Sequence, residues 1–475
     1  MTLRALPCVL IALLSVGASA ASITTVPEAA VRQAIALRDK ALKDGQAYAV
    51  LESLTTEVGP RLAGSANDQK ARDWAVAKFN ALGYDKVWTE PVTYPKWVRR
   101  SESASLVAPF AQPLAVTALG YSPATPKGGI TAPVVFFDSL DALKAARSDD
   151  VKGKIVFVSA RMRAHRDGHD YGIGSPIRSR GPAIAAKLGA AAFVLRSAGT
   201  DSHRLPHTGV TQWEPGGKRI PAAAVSNPDA DLIEATVRRG QPVQMKLQLD
   251  CGIDGDYTGA NVIAEIRGSE KPDEVVIMGG HLDSWDLGTG AIDDGAGVAV
   301  GMAAGALIGE LPQPPKRSIR VVAFANEEAG LYGGKAYAAA HKHEVTQHVL
   351  GSESDFGSDR IWRLNANVKP EALPAIDQMM QVLAPLGVER GSSRANGGPD
   401  LSPLHAEGMA ALSLVNDGTR YFDYHHTADD TLDKVDPEQL AQIVAVYASW
   451  AYMASEADGD FGSAPGAFKQ GGDED

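Results

Sequence analysis

The chain has 475 residues, of which 44% are hydrophobic and 22% are charged, so it is long enough for two or three globular domains. Its formal net charge is −11 and its sequence pI is about 5.5. Nucleic acids and anionic membrane surfaces bind through clustered cations, and the sequence has no basic stripe. We therefore expect neither of them as a partner.

The N-terminus has the pattern of a secretory signal peptide. Arg4 supplies a positive charge, an apolar run extends from Ala5 to Val16, and Ala18–Ala20 fits a cleavage site with small residues. The apolar run is shorter than the about 20 residues that a transmembrane helix needs. A buried helix is the alternative, but the small residues favour a signal peptide at 1–20, no membrane span, and a secreted or periplasmic protein.

Cysteine usage agrees with this prediction. Cleavage would remove Cys8 and leave Cys251 alone, so we expect no internal disulfide. Cys251 has no Cys or His close to it in the sequence, and we interpret it as a buried, unreactive thiol.

The first half of the mature chain divides into two regions. Residues 21–105 have helical patterning, with a helix from Asn67 to Leu82, and then a strand from Lys86 to Val92. Residues 106–249 contain short apolar runs bounded by turn residues, which predicts a separate β-rich domain. We interpret the histidines of this region as surface or loop residues, because none has a recognisable ligand spacing: His165, His169, His203 and His207.

Residues 250–460 alternate strands and helices. This alternation predicts an α/β domain with an open, mostly parallel sheet and helices on both faces. Residues 21–105 would belong to the same domain. The last helix is predicted to begin with Asp436 as N-cap and Pro437 in its first turn. Residues 461–475 are glycine-rich and acidic, and we predict that they are disordered.

Metal-compatible side chains follow several of the predicted strands. In an open α/β sheet, ligands bind at the carboxyl ends of the strands. The side chains found there, or in the loops that follow, are His281, Asp283, Asp293, Glu327, Glu328, Asp355, His425 and His426. Crowded carboxylates repel one another, and divalent cations remove that conflict. A mixture of histidine and carboxylate favours zinc, and the surplus over three ligands favours two ions.

Solvated turns are the alternative interpretation of such acidic, glycine-rich loops, and we interpret Asp286 and Asp294 in that way. Four separate strand ends each contribute a suitable group, however, which favours a metal site for the set. The segment HEVTQH, residues 343–348, nearly matches the H-E-x-x-H zinc helix. Its histidines are five residues apart and share no helix face, so we interpret it as a solvated helix end.

Several segments resemble, in the same order, those of the M28 zinc exopeptidases, and in particular their carboxypeptidase Q group. They are EVGPRLAGS (57–65), YPKW (94–97), GGHLDSWDLGTGAIDDGAG (279–297), ANEEAGLYGG (325–334), ESDFGS (353–358) and YFDYHHTADDT (421–431). Residues 106–249 resemble an inserted protease-associated (PA) domain. The resemblance covers nearly the whole mature chain and implies a secreted dinuclear zinc exopeptidase that cleaves short peptides, with unblocked dipeptides favoured.

The resemblance also implies a ligand set. His281 and Asp355 would hold one of two zinc ions. Glu328 and His426 would hold the other, and Asp293 would bridge the pair.

Further roles follow from the same resemblance. Glu327 would be the general base, and Asp283 would orient His281. The peptide bond Asp293–Asp294 would be cis. His425 would contact the tetrahedral intermediate, with a packing role as the alternative.

Other functions remain open at this stage. A broad-specificity zinc aminopeptidase of the same family would bind the amino terminus of its peptide substrate, whereas a carboxypeptidase would bind the carboxylate. Arg394, Asn396 and Arg420 lie near the regions that could contribute. A non-catalytic, receptor-like module is disfavoured because every ligand and the base are present. Relatives are often homodimeric, so a homodimer is also open.

Overall fold

The computed structural model describes residues 23–468, so the predicted signal peptide lies outside the described residues. Its strands are β1 (Lys86–Ala108), β2 (Gln112–Leu114), β3 (Val116–Ala118), β4 (Ile130–Phe137), β5 (Ile155–Val158), β6 (Ala192–Arg196), β7 (Ala222–Val225), β8 (Gln244–Ile266), β9 (Lys271–His281), β10 (Arg317–Phe324), β11 (His348–Glu353), β12 (Ile361–Asn367), β13 (Glu389–Arg390) and β14 (Ala411–Asn416). Its α-helices are α1 (Glu28–Ala41), α2 (Gln46–Ser53), α3 (Ala66–Ala81), α4 (Leu140–Lys144), α5 (Ser148–Val151), α6 (Tyr171–Lys187), α7 (Asn227–Arg238), α8 (Ala296–Gly309), α9 (Tyr332–His341), α10 (Leu373–Leu383), α11 (Ser402–Glu407), α12 (Tyr421–Tyr424) and α13 (Pro437–Glu456).

The larger domain is built on an open sheet in the order β13-β12-β14-β11-β9-β10-β8. The strands β14, β11, β9 and β10 are mutually parallel, whereas β12 and β8 pair antiparallel at either side of them. This confirms the predicted mostly parallel α/β sheet. The carboxyl ends of the parallel strands lie along one edge, which is where the predicted site residues follow them.

Helices cover both faces of this sheet, and strand residues alternate between the two cores. Val276 and Met278 of β9 pack in the cluster that includes α1, α2, α8 and α13. Val275 and Ile277 of the same strand point the other way, into the cluster that includes α9 and α11. A strand that is buried on both faces reads as a continuous apolar run, as this one does.

The helical segment 291–309 is long and apolar enough to cross a membrane by length and composition, among the described residues. All of it is buried inside the protein, where α8 packs against α13 and against β9 and β10. Its apolar character is therefore explained by its position in the core.

Two long strands connect the two domains. β1 and β8 have 23 residues each and pair antiparallel over nearly their whole length. One end of β8 pairs with β4 of the inserted domain, and the other end pairs with β10 of the larger domain. The predicted end of the first strand at Val92 is therefore wrong by 16 residues, because β8, far along the chain, supplies its pairing partner.

The inserted domain has its own sheet, in which β4, β5, β6 and β7 are parallel and β3 is antiparallel to β7. Cys251 is buried beside this domain, and burial raises the pKa of its thiol to about 11, so it is the unreactive thiol that was predicted. His207 lies in a loop, as expected, but it is not at the surface. It is 1% exposed and its Nε2 lies 2.6 Å from Asp201 Oδ2, so it is a buried structural histidine.

The C-terminal segment corrects another prediction. Phe461 is fully buried, and the ring of Phe468 stacks on His405 with centroids 5.3 Å apart. Ser463 Oγ donates to the main-chain oxygen of His348 at 2.7 Å and accepts from the amide of Ala410 at 2.8 Å. Residues 461–468 are therefore ordered by two aromatic anchors and main-chain contacts, despite their composition; residues 469–475 lie outside the described residues.

The segment that resembles a zinc helix is not solvated throughout. Lys342–Gln347 forms a 3₁₀ helix, and His348 begins the buried strand β11. His348 Nε2 lies 2.9 Å from the hydroxyl of Tyr337, and burial lowers the pKa of this histidine to about 3. Only the first histidine, His343, is exposed, so the prediction is wrong for the second.

Candidate active site

A buried arginine fixes the loop that follows β9. Arg61 is fully buried and donates to the main-chain oxygens of Leu282, Thr289 (2.7 Å) and Gly290 (2.8 Å). Gly290 has φ +61°, and a Cβ there would lie 2.3 Å from Ser284 Cβ and 2.7 Å from Arg61 Nη1. The glycine and the guanidinium together hold the turn that leads to Asp293. From the sequence, Arg61 and Gly290 could be noted only as members of the matched segments 57–65 and 279–297, without a role of their own.

Arg61→Met is expected to lower the free energy of unfolding by about 3 kcal/mol, because three main-chain carbonyls, two of them fully buried, lose their donor at once. Urea unfolding followed by circular dichroism measures the change. Arg32→Met, in an exposed position on α1, is the control and should change stability by less than about 0.5 kcal/mol. Equal stability of the two variants would contradict the role given to Arg61.

Asp293 lies at the centre of the predicted cluster, with a different group of side chains on each carboxylate oxygen. Its Oδ1 is 3.0 Å from His281 Nε2, which is itself 3.6 Å from Asp355 Oδ1. Its Oδ2 is 3.3 Å from His426 Nε2, which is 2.9 Å from Glu328 Oε2. The structure therefore brings together all five predicted metal ligands, in two groups that share Asp293.

The electrostatics of the cluster match this arrangement. Burial alone would raise the pKa of Asp293, but the His281 and His426 imidazoles hold that pKa well below its usual range. Burial opposes protonation of both histidines, yet the facing carboxylates raise their pKa values well above the ordinary value. Each of these three side chains is therefore stabilised in its charged form by a neighbour of opposite charge.

Unpartnered atoms show that the residues fit a metal ion. Asp293 Oδ2 and Glu328 Oε1 are buried and have no hydrogen-bond partner among the described residues. Donor atoms of His281, Asp293 and Asp355 lie within 4.8 Å of one another, as do those of Asp293, His425 and His426. Nitrogen and carboxylate donors in such groups suit zinc.

The other ring nitrogen of each predicted ligand histidine is fixed by a main-chain oxygen. His426 Nδ1 donates to Thr208 O of the inserted domain at 3.1 Å, and His281 Nδ1 donates to Asp283 O at 3.0 Å. The Asp283 carboxylate lies 3.6 Å from His281 Nδ1 and accepts the amide of Glu327 at 3.0 Å. Asp283 therefore contacts both the histidine and the predicted base, the first mainly through its main chain.

His425 is positioned differently from its neighbour. Its ring stacks on His426 with centroids 3.5 Å apart and with Nε2 3.5 Å from Asp293 Oδ2. Its Nδ1 is buried without a partner in the described chain. Burial, together with the neighbouring His426, holds the pKa of His425 well below its ordinary value. This ring is thus a neutral imidazole in the cleft.

The two aspartates interpreted as solvated turn residues have structural partners instead. Asp294 is fully buried, and it accepts the amides of His281 and Gly297 at 3.0 Å each. The peptide bond between Asp293 and Asp294 is cis, as the resemblance implied. Asp286 forms an ion pair with Arg99 at 3.0 Å. The prediction of solvated turns is wrong for Asp294, because main-chain donors buried at the strand end require an acceptor.

Comparison with known proteins identifies the family. The profile of Peptidase family M28 matches residues 261–451, and the PA domain profile matches residues 106–233. Carboxypeptidase Q of Bos taurus is 34% identical over 411 residues, which are 86% of this chain and 85% of that protein. The chain belongs to peptidase family M28. It is a zinc metallo-exopeptidase, which excludes the receptor-like alternative.

Solved structures agree with this M28 assignment. The structure of a Peptidase M28 precursor from Shewanella amazonensis is 50% identical, covers 92% of this chain and 99% of its own, and superimposes with a TM-score of 0.90. A zinc aminopeptidase from Bacillus subtilis shares the fold, with 21% identity, 86% and 94% coverage, and a TM-score of 0.60. The match to the PA domain profile confirms the inserted domain. The profile ends before β8 begins, so the long strands β1 and β8 connect this domain to the larger one.

The cleft of this M28 peptidase lies between its two domains. This cleft is an open cavity of about 890 Å³, solvent included, and it is lined by the predicted metal-binding cluster on one side and by α6 and a neighbouring loop of the PA domain on the other. Arg178 of α6 is the cationic residue in its lining. Arg420 instead pairs with Asp359 at 2.6 Å, and Arg394 is exposed, so neither lines the cavity. No motif in the sequence could have indicated Arg178.

Proposed function

We propose that this M28 peptidase is a secreted dinuclear zinc dipeptidase. It would hydrolyse the single peptide bond of unblocked dipeptides and recognise their free carboxylate. The position of Asp293 between two groups of donors carries the dinuclear part of this proposal. One ion would be held by His281 and Asp355, and the other by Glu328 and His426. Two-metal hydrolases hold their ions close together, and a carboxylate with other donor side chains beside each of its two oxygens can bridge them.

Glu327 would move the proton in this reaction. Zinc, when bound, polarises the peptide carbonyl and makes water acidic enough to lose a proton near neutral pH. Glu327 lines the cavity beside the ligand Glu328, and burial with nearby carboxylates raises its pKa well above the ordinary value. Glu327 accepts the proton of the attacking water and then donates it to the leaving amine. The bond from its amide to Asp283 holds it in place.

Arg178 supports recognition of a free carboxylate. The residue is 6% exposed, and its Nε has no partner in the described chain. Its Nη1 makes one long bond, 3.5 Å, to Thr208 O. No Asp or Glu oxygen of the described residues lies within 4.0 Å of it, although a buried guanidinium without a counter-charge is costly. A substrate carboxylate would supply the missing charge.

The position of Arg178 would limit the length of peptide beyond the scissile bond. Its Nη1 lies 3.4 Å from Nδ1 of the proposed ligand His426. Because that nitrogen already donates to Thr208 O, the guanidinium cannot use it as an acceptor. A carboxylate bound there would lie about one residue from the carbonyl under attack. This favours removal of a single C-terminal residue over action as a broad-specificity aminopeptidase.

Arg178→Gln is expected to lower kcat/KM about 100-fold for a dipeptide and less than about fivefold for the same dipeptide with a C-terminal amide. The reason is that a charged hydrogen-bonded pair contributes about 2–3 kcal/mol, and only the free acid forms one. Steady-state kinetics on both substrates measure the difference. Arg180→Gln, exposed on the same helix, is the matched control and should change neither value.

Other outcomes would overturn parts of the proposal separately. Equal losses on the acid and the amide would remove the carboxylate role of Arg178. Fast cleavage of aminoacyl-nitroanilides, equal to that of dipeptides, would favour the aminopeptidase. Cleavage of N-blocked dipeptides would remove the requirement for a free amine.

Secretion predicts a mature N-terminus near Ala21, which mass spectrometry of the exported protein measures.

A further inference from the structure

A second cluster of metal-compatible side chains lies in the PA domain, in the loop between β5 and α6. Nε2 of His165 and Nε2 of His169 both lie 3.5 Å from the same oxygen, Asp170 Oδ1. The two imidazole rings stack with centroids 3.7 Å apart and planes 29° apart. Three donor atoms of this group lie within 4.8 Å of one another, the same limit that the catalytic groups satisfy.

The hydrogen bonds around the cluster leave these donor atoms available. His169 Nδ1 lies 2.7 Å from Asp167 Oδ1, so Nδ1 carries the hydrogen and the lone pair of Nε2 faces Asp170. Metal-bound histidines characteristically donate their other ring nitrogen to a carboxylate in this way. The amide of Arg163 donates to Asp170 Oδ2 at 2.9 Å, which lowers the pKa of Asp170 and leaves Oδ1 free.

The charges nearby are compatible with a cation. No lysine or arginine nitrogen of the described residues lies within 4.0 Å of Asp170, whereas Arg363 approaches Asp167 to 3.9 Å. The side chain of Asp170 is 13% exposed, and those of His165 and His169 are 32% and 58% exposed. An ion could therefore enter from solvent without any rearrangement of the core.

We propose that His165, His169 and Asp170 form a binding site for a divalent transition-metal ion, separate from the catalytic cluster. Two imidazole nitrogens and one carboxylate oxygen, with water in the fourth position, are a donor set that suits Zn²⁺. The exposure of the histidines makes the ion exchangeable. The site is distinct from the sequence-predicted ligands and does not depend on the proposed dipeptidase activity.

The site would stabilise one wall of the catalytic cleft. Asp170 immediately precedes Tyr171, the first residue of α6, whose ring lies 4.6 Å from that of Phe422 and 5.2 Å from that of His425. The loop is also attached to the larger domain, because Arg166 O accepts the amide of Gly418 at 2.9 Å. An ion at Asp170 thus ties the start of α6 to this attachment and positions the cleft-lining face of the helix.

Metal titration tests the site independently of activity. Chelator-treated full-length protein, titrated with Co²⁺ in a calorimeter and followed by visible absorption, is expected to bind one more equivalent than His169→Ala. Asp170→Asn, which keeps the shape of the side chain, should lose the same equivalent. His203→Ala, exposed in the same domain, is the control and should match the unmodified protein.

The comparison between variants makes the result unambiguous. All the variants keep the same catalytic cluster, so a difference of one Co²⁺ equivalent between them does not depend on whether that cluster binds one ion or two. We expect the His169→Ala enzyme to keep its kcat within about twofold and to show a higher KM, since only the helix wall is loosened. The same Co²⁺ stoichiometry and absorption spectrum for His169→Ala, Asp170→Asn and the unmodified protein would overturn the proposal.

Discussion

Glu327→Gln is expected to lower kcat on a dipeptide on the order of 10³-fold or more while metal content stays unchanged. The amide keeps the shape of the side chain but cannot accept the proton of the attacking water, and general acid–base catalysis contributes about 10²–10⁴-fold. Glu327 is not needed to complete either group of donors around Asp293. Kinetics together with metal analysis of the purified variant measure both quantities.

The control for this substitution is Glu389→Gln, in the exposed strand β13, which should leave both kcat and metal content unchanged. The stability of Glu327→Gln should equal or slightly exceed that of the unmodified protein, because burial already disfavours the charged form of this carboxyl. A Glu327→Gln enzyme that retained a kcat close to normal would show that another group is the base. Loss of metal in this variant would instead make Glu327 a ligand.

The parts of the fold that depend on local patterns could be predicted from the sequence. The apolar run of β9 and the capping of α13 by Asp436, whose carboxylate accepts two amides, are properties of neighbouring residues. The full length of β1 could not be predicted, because its second half is a strand through pairing with β8.

The candidate site also divides into residues that local sequence patterns predict and residues that they do not. Residues that directly follow strands, such as His281 and Glu327, could be predicted because parallel strands end along one edge of the sheet. Residues that act on the site from distant parts of the chain could not. Arg61 holds the loop after β9, while Thr208 and Arg178 reach His426 from the PA domain. No spacing rule connects those positions with the site. The fold of the larger domain brings Arg61 there, and the docking of the PA domain brings Thr208 and Arg178.

The adjacent histidines give the sharpest test of the ligand assignment, since both Nε2 atoms lie within 3.5 Å of Asp293 Oδ2. His426 adopts φ +63°, an uncommon conformation for a residue with a large side chain, and in it Nε2 reaches Glu328 while Nδ1 donates to Thr208 O. His425 has no hydrogen-bond partner for Nδ1. The fixed tautomer favours His426 over His425 as the ligand.

His426→Ala is therefore expected to lose about one equivalent of zinc on dialysis against a weak chelator and to lose kcat on the order of 10³-fold or more, because the ion supplies the charge stabilisation of the transition state. His425→Ala should keep its zinc. Its kcat should fall on the order of 10²-fold, as expected when one donor to a developing oxyanion is removed. Metal analysis of the dialysed proteins and dipeptide kinetics measure both effects.

The paired design separates the three roles that the geometry allows. Zinc lost from His425→Ala but retained by His426→Ala would exchange the two assignments. Zinc lost from both variants would make both histidines ligands, on the side of Asp293 that faces Glu328. If His425→Ala retained both its zinc and its full kcat, its ring would be a packing partner of His426, and stabilisation of the oxyanion would fall to the metal site alone.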